Sequence, residues 1–146
     1  MKKDILIGFD FDKIFIDTPP LIPNKLIDFL YKGGSYFKRG DTRGHLHYRY
    51  PGSFEQKIRI VSHHPVFRKP IMNNIEALKK VTKINGSKTY LVSSRYGFLK
   101  KRTQIIIEKY HLDQYFDGIY FNYENKQPHL FKEEIIKKLG IEKYID

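Results

Sequence analysis

Two carboxylates one residue apart follow the first apolar run of the chain. Residues 5–9 carry no charge and lead directly into Asp10 and Asp12. Such a run is typical of a central strand in a parallel sheet, and ligands of open α/β sheets bind beyond the carboxyl ends of the strands. Two carboxylates this close repel each other unless a cation or a proton intervenes. The spacing indicates a magnesium site suited to phosphoryl transfer, and turn or cap residues are an equally good interpretation of the pair alone.

Other polar groups also follow apolar runs. Ser93 and Ser94 come after the run 89–92, and Asp146 follows the short run 143–145. The carboxyl ends of parallel strands lie at one edge of the sheet, so three strand ends would bring these groups together with the first pair. Phosphoryl transfer uses a carboxylate nucleophile, a second carboxyl for proton transfer, and hydroxyl and cationic groups that hold phosphoryl oxygens. This set supplies most of those groups.

The missing cation is expected in the last predicted helix. Lys132 lies three, four and seven residues before the apolar residues of one helix face, which are Ile135, Ile136 and Leu139. A lysine near the start of this helix would lie at the edge where the preceding strand ends. A surface lysine whose alkyl chain covers the apolar face is an equally good interpretation. Lys126, just before the helix, is the second candidate.

The elements that would position these residues alternate along the chain. Predicted strands lie near residues 5–9, 89–92, 118–121 and 143–146, and predicted helices cover 23–32, 54–61, 71–81, 98–110 and 128–139. The segment 13–18 is predicted to be a tight flap beside the site. The alternation predicts an α/β fold, a doubly wound parallel sheet of about four strands in one domain. Residues 1–17 and 71–146 would form the core, and residues 18–70 a small cap insertion.

Charge and composition indicate the class of partner. The 146 residues have a formal net charge of +11, no Cys and no long uncharged apolar stretch, which predicts a soluble, cytoplasmic protein without a membrane partner. The positive charge favours anionic partners, and residues 33–70 contain eight basic residues against two acidic ones. Five aromatic residues interleave with Arg there, which suits nucleotides or nucleic acid: Tyr36, Phe37, Tyr48, Tyr50 and Phe54. For most of these five, packing of the cap against the core is the preferred interpretation.

The histidines and Arg95 are weaker signals. His45, His47, His63 and His64 lack the partners of a recognised zinc site, so they are predicted to be surface or substrate-contacting residues. Arg95, next to Ser94, is a candidate for contacting a substrate phosphate, with a structural ion pair as a nearly equal alternative.

In their order along the chain, these residues resemble the motifs of the haloacid dehalogenase superfamily, most of whose members are Mg²⁺-dependent phosphatases. The resemblance spans nearly the whole chain. Phe9 to Asp12, with Asp17 and Thr18, is similar to the first motif and is the most specific part. The other three motifs are matched by Leu91 to Arg95, by Lys132 to Ile141, and by Tyr144 to Asp146, the last being similar to the start of the fourth motif.

The resemblance implies a role for most of the candidate residues. Asp10 would be the nucleophile that forms an aspartyl-phosphate, and Asp12 the general acid and then the general base. Ser93 would bind the phosphoryl oxygens, and Lys132 would neutralise the intermediate. Ser94 and Arg95 are predicted to contact the substrate from their position beside Ser93 and not from the resemblance. Mg²⁺ would be held by Asp10, Asp12 (through its carbonyl) and Asp146.

Two departures from the family pattern leave a rival hypothesis open. Lys13 stands where the family usually has Gly, and the fourth motif usually continues with further acidic residues beyond the position of Asp146. The leading hypothesis is a Mg²⁺-dependent phosphatase for a small phosphomonoester, with a nucleotide favoured. The alternative is a catalytically degenerate or truncated domain of the same fold that binds an anionic ligand or nucleic acid.

Overall fold

A computed structural model describes residues 4–18 and 49–146. The predicted helix at 23–32 lies outside these residues, as do half of the Arg, Tyr and His residues of the predicted basic segment 33–70. In the described residues, no helix is long and apolar enough to cross a membrane.

A parallel sheet of four strands forms the centre of the molecule. The strands are β1 (Ile5–Phe9), β2 (Ser87–Ser93), β3 (Gly118–Phe121) and β4 (Lys143–Ile145), and their order in the sheet is β3-β2-β1-β4. Phe9, the last residue of β1, pairs with Leu91 of β2 and with Ile145 of β4. This register brings the carboxyl ends of the strands to one edge. The predicted parallel sheet of four strands is confirmed.

In the part of the chain that the structure describes, four α-helices connect these strands. They are α1 (Ser53–Ser62), α2 (Met72–Val81), α3 (Lys100–Lys109) and α4 (Pro128–Leu139), and a 3₁₀ turn, Gly97–Leu99, leads into α3. The last helix has the expected ends, because Pro128 lacks the amide hydrogen that a first turn leaves unpaired and Gly140 adopts a left-handed φ of 67°. Arg102 of α3 donates a hydrogen bond to the carbonyl of Ile60 and so joins α3 to α1.

The helices cover both faces of the sheet, as the doubly wound prediction requires. One buried cluster joins β1 and β2 to α2 and α3, and it contains Phe9, Phe11, Phe15, Ile16, Ile75, Leu78, Leu91, Ile106 and Leu112. A smaller cluster on the other face joins Val92 of β2 to Phe131 and Ile135 of α4. Burial of these side chains drives the two helix layers against the sheet.

The predicted flap after β1 is a tight turn attached to the core. The amide of Phe15 donates to the carbonyl of Phe11, and the amide of Lys13 donates to the carbonyl of Ile16. Lys13 has a φ of 67°, a conformation that favours glycine. The amides of Asp17 and Ile71 bond to the carbonyls of Lys69 and Phe15, so the flap also anchors the chain where it returns from the predicted insertion.

Candidate active site

The ends of β1 and β4 place two predicted site residues side by side. Asp10 directly follows β1, and its amide donates a 2.8 Å hydrogen bond to the carbonyl of Ile145 at the end of β4. Asp146 is the next residue after that carbonyl. The register of the two parallel strands therefore brings Asp10 and Asp146 together, as the sequence predicts.

Lys132 of α4 supplies the cation between these carboxylates. Its Nζ donates to Asp10 Oδ2 at 2.7 Å and to Asp146 Oδ2 at 2.9 Å. Burial lowers the pKa of Lys132, but the hydrogen bonds to both carboxylates outweigh burial and raise it above its ordinary value, so the amine stays charged. The second candidate, Lys126, is exposed and pairs with Glu134. Lys132 is therefore the lysine of the site.

Asp10 and Asp146 share one cation but have different surroundings. Asp10 is buried, and its Oδ1 accepts a 2.7 Å hydrogen bond from the amide of Phe11. Burial raises the pKa of Asp10, and the hydrogen bond from Lys132 only partly offsets that rise. Asp146 is more exposed; burial acts to raise its pKa, but the hydrogen bond from Lys132 lowers it overall. The two carboxylates thus compete for one ammonium group, and the charge of Lys13 also acts to lower the pKa of Asp146.

Asp12 is engaged by an arginine. Arg95 Nε and Nη2 donate to the two oxygens of Asp12 at 2.8 and 2.6 Å, a bidentate pair. The guanidinium also bonds to Thr103 and lies 4.5 Å from the centre of the Phe11 ring. Burial acts to raise the pKa of Asp12, but the pair with Arg95 holds it well below its usual range. Asp12 is therefore an ionised carboxylate. Of the two interpretations offered for Arg95, contact with a substrate phosphate or a structural ion pair, the ion pair is present in this structure.

Two further residues lie beside this pair: Arg68, to which the sequence assigned no role, and His63, to which it assigned a different one. Arg68, which follows α1, has its Nη1 3.7 Å from Asp12 Oδ1, and it contacts the ring of His63. His63 is 1% exposed, so the prediction of a surface or substrate-contacting histidine is wrong for this residue. Burial, Arg95 and Arg68 together lower the pKa of His63 to about 3, so its ring is neutral. No periodicity marks Arg68, because its contact with Asp12 joins segments that are far apart in sequence.

The predicted serines lie at the end of the neighbouring strand. Ser93 is buried at the end of β2, and its carbonyl accepts a hydrogen bond from the amide of Asn122. Ser94 is half-buried. Within the described residues, no hydrogen bond joins either hydroxyl to Asp10, so their contact with a phosphoryl group stays a prediction.

The donors at this edge match the chemistry of Mg²⁺. No three acidic or histidine side chains of the described residues are grouped to hold a metal. Mg²⁺ is, however, commonly held by one or two carboxylates together with water and substrate phosphate. Asp10 and Asp146 fit this pattern because they are two carboxylates at adjacent strand ends that lie close enough to bind the same amine. The carboxylate of Asp12 fits less well, because Arg95 takes both of its oxygens; its carbonyl stays a candidate ligand.

The cap aromatics also differ from the prediction where the structure describes them. Phe54 is 76% exposed, so packing against the core is wrong for this residue. Tyr50 is partly exposed and packs edge-on against Tyr96, with 5.1 Å between ring centres. Tyr96 follows Arg95, so Tyr50 lies next to the segment that carries the Asp12 ion pair.

Comparison with known proteins agrees with this fold. No protein-family model matches the chain, and no curated protein sequence matches it. The solved structure of a haloacid dehalogenase-like family hydrolase from Xanthomonas campestris is similar, with a TM-score of 0.52, over 96% of this chain and 71% of that chain. The two sequences are 17% identical, so the likeness is one of fold. The fold implied by the four sequence motifs is confirmed.

Proposed function

We propose that this chain, which has the haloacid dehalogenase-like fold, is a Mg²⁺-dependent phosphatase that hydrolyses a small phosphomonoester through an aspartyl-phosphate on Asp10. One observation carries the proposal: Asp10 lies at the end of the central strand with one oxygen held by the amide of Phe11 and the other by Lys132. A carboxylate oriented in this way presents an oxygen in a fixed direction, which a nucleophile requires.

The surrounding residues supply the remaining functions of such a reaction. An oxygen of Asp10 would bond to phosphorus as the bond to the leaving oxygen breaks. Lys132, which touches Asp10, would offset the added negative charge. Ser93 would donate its hydroxyl to a phosphoryl oxygen. Asp12 would transfer protons, first to the leaving oxygen and then from the water that releases phosphate.

Mg²⁺ completes the proposal. Asp10, Asp146 and the carbonyl of Asp12 would hold the ion, and its charge would offset the negative charge of the phosphoryl group. The position of Asp10 and Asp146, close enough to bind one amine between them, supports this assignment.

A nucleotide is the favoured substrate. The net charge of +11 attracts phosphate-bearing molecules. Tyr50 exposes 42% of its surface beside Tyr96, so its ring is available to stack against a base. A sugar phosphate would gain less from such a ring.

Two observations support a second candidate, a binding domain without turnover. Arg95 holds Asp12 ionised, whereas an acid that protonates a leaving group must carry a proton. Lys13 places a cation next to Asp12 at a position where the family usually has glycine. The variant Lys13→Gly separates the two functions: a large gain in phosphatase activity identifies the lysine as inhibitory, and unchanged activity removes this argument for the second candidate.

The test is phosphate release from a panel of phosphomonoesters that includes nucleotides and sugar phosphates. The purified chain is assayed with Mg²⁺ and with a chelator, and Asp10→Asn serves as the blank. We expect release that requires Mg²⁺, is greatest for a nucleotide and is lost in the blank. Absence of release from every compound, or equal release by Asp10→Asn, would contradict the proposal.

A further inference from the structure

We propose that Arg68 and Arg95 form a second anion subsite beside Asp10, which takes a phosphate or carboxylate of a substrate that carries two anionic groups. The inference rests on the proposed function, because the first group is the phosphoryl group that reacts at Asp10. It narrows the substrate to a phosphomonoester with a second anionic group, so that a nucleotide substrate would carry a further phosphate or a carboxylate.

The two arginines bury more positive charge than their surroundings neutralise. Arg68 is 4% exposed and Arg95 is 5% exposed. Asp12 is the one carboxylate that forms an ion pair with either of them among the described residues. A buried charge without a partner is costly, so buried charges in proteins are normally paired. One positive charge in excess therefore marks a place where an anion would bind favourably.

Arg68 carries the unsatisfied part of that charge. Its Nε donates to the carbonyl of Ser62 at 3.1 Å, and its Nη2 donates to His63 Nε2 at 3.1 Å. Its Nη2 also lies 3.4 Å from His63 Nδ1. Its Nη1 lies 3.7 Å from Asp12 Oδ1, too far for a hydrogen bond, and this nitrogen donates none to the described residues. The guanidinium is thus held on one side and has free donors on the side that faces Asp12.

His63 positions this guanidinium without neutralising it. His63 Nδ1 lies 2.7 Å from the carbonyl of Arg59, which requires that Nδ1 carry the hydrogen and donate it. Nε2 therefore has a lone pair, and this lone pair accepts the hydrogen bond from Arg68. Because burial and both arginines lower the pKa of His63 to about 3, the ring adds no charge near pH 7.

The subsite is close to the nucleophile. Both arginines lie beside Asp12, whose side chain is 30% exposed. Asp12 is two residues from Asp10, at the same edge of the sheet. Arg68 follows α1 and Arg95 follows β2, so an anion held by both would join the predicted insertion to the core. A guanidinium binds phosphate and carboxylate through paired donors, which suits both kinds of group.

The experiment measures binding and does not depend on turnover. Isothermal titration calorimetry with Asp10→Asn and Mg²⁺ compares three ligands of equal carbon number: propyl phosphate, 3-(phosphonooxy)propanoate and 1,3-propanediol bisphosphate. We expect at least one of the two ligands that carry two anionic groups to bind at least about tenfold more tightly than propyl phosphate. Whichever binds more tightly identifies the second group as carboxylate or phosphate.

Substitutions assign the preference to the subsite. In the Asp10→Asn background, Arg68→Met should remove the preference, and Arg68→Lys should retain part of it, because the charge stays and the paired donors are lost. Arg102→Met is the matched control: Arg102 also joins a core helix to α1, but it has no described contact with Asp12, so the preference should survive. Thermal denaturation shows whether each variant is folded. If Arg68→Met is not folded, the test rests on the partial loss of preference expected for Arg68→Lys.

Equal affinity for the three ligands, or a preference that survives loss of Arg68, would overturn the subsite. These results are independent of the proposed reaction. If the chain shows the preference but releases no phosphate, the subsite stands and the proposed phosphatase activity is wrong. If it releases phosphate but shows no preference, the activity stands and the subsite is wrong.

Discussion

Lys132 is the residue on which the arrangement of the two carboxylates depends. It is 18% exposed and is the described cation that touches both Asp10 and Asp146. Replacing it by Met leaves two carboxylates facing each other at the end of adjacent strands. We expect Lys132→Met to lower the free energy of unfolding by about 1–3 kcal/mol, because hydrogen bonds to charged groups contribute this much. Urea denaturation measures the change.

Lys137→Met is the control for this substitution. Lys137 lies on the same helix and pairs with Glu133 in an exposed i, i+4 arrangement, which contributes little to stability. The free energy of unfolding should stay nearly unchanged. If both substitutions have the same effect, the cluster at Asp10 does not stabilise the fold.

The backbone conformation at Lys13 is one that suits the glycine usually found at this position in the family. Its φ of 67° is a conformation that glycine adopts without strain and other residues adopt at a cost of about 1–2 kcal/mol. Glycine also gains freedom in the unfolded chain, which offsets part of this cost. We expect Lys13→Gly to raise the free energy of unfolding by up to about 1 kcal/mol.

Lys13→Ala separates this backbone effect from the charge. It removes the ammonium group but keeps the Cβ atom that makes a positive φ unfavourable. Chemical denaturation should therefore show stabilisation for Lys13→Gly and none for Lys13→Ala. Equal stabilisation by both variants would mean that charge and not backbone strain is responsible.

His63 predicts how stability changes with pH. Its pKa is about 3 in the folded chain because of burial and the two arginines, against about 6.5 in an unfolded chain. Between about pH 3 and about pH 6.5, the His63 ring therefore takes up a proton when the chain unfolds. The stability that the neutral ring contributes is fully present above pH 6.5 and is lost as the pH falls towards 3, with a slope of about 1.4 kcal/mol per pH unit.

The measurement is the free energy of unfolding between pH 7 and pH 5 for the wild-type chain and for His63→Gln. The glutamine can still accept from Arg68 but does not titrate. The free energy of unfolding of His63→Gln should change less steeply with pH, by the contribution of one proton. Identical slopes would show that His63 is not neutral in the folded state.

At the residue level, the sequence predicted the groups that lie at strand ends and missed those that reach them from elsewhere. Asp10 and Asp146 follow apolar runs whose pairing places them together, and Lys132 stands out as a charge on an apolar helix face. The contact between Arg68 and Asp12 has no such signal, since no local pattern relates a residue after α1 to one after β1. Arg95 was found as a candidate, but its partner was not.

Among the elements, β1 depends on the absence of a side chain at Gly8. A Cβ atom there would lie 2.8 Å from Cδ2 of Tyr144 on β4 and 3.0 Å from Cδ1 of Ile141. The Tyr144 ring cannot move away freely, because its hydroxyl donates to the carbonyl of Val92 at 2.7 Å. We expect Gly8→Ala to cost about 1–3 kcal/mol of stability, as overpacked cores do.

Denaturation of Gly8→Ala measures this cost. The substitution should also weaken phosphate release, because β4 must shift and Asp146 directly follows it. Unchanged stability and unchanged activity would show that β4 adapts without moving the site.

The helices and strands were largely predictable because their signals are local. Pro128 and Gly140 mark both ends of α4, and the apolar run at 118–121 coincides with β3. The predicted helix 98–110 differs in its first turn, where Gly97–Leu99 is a 3₁₀ turn. Gly97 cannot carry a Cβ atom there, because that atom would lie 2.8 Å from the carbonyl oxygen of Tyr123. Tertiary packing of this kind is invisible to a pattern of hydrophobic residues.

For the whole molecule, the order of the motifs along the chain was more informative than any single motif. The parallel sheet converts that order into one edge where Asp10, Asp146 and Lys132 meet, and the similar solved structure has the same fold at 17% identity. The net charge of +11 predicts an anionic partner but does not say where it binds, and we propose the buried pair Arg68 and Arg95 as the place.

The most direct measurement is phosphate release by Asp10→Asn and Asp4→Asn under identical conditions with Mg²⁺ and the preferred phosphomonoester of the panel. Asp4 is an exposed carboxylate at the opposite end of the same strand, where it pairs with Lys88, so its loss controls for the change in charge. We expect Asp10→Asn to lower the rate by at least about a thousandfold, because it removes the nucleophile, and Asp4→Asn to leave the rate unchanged. Equal rates for the two variants would contradict the central role of Asp10.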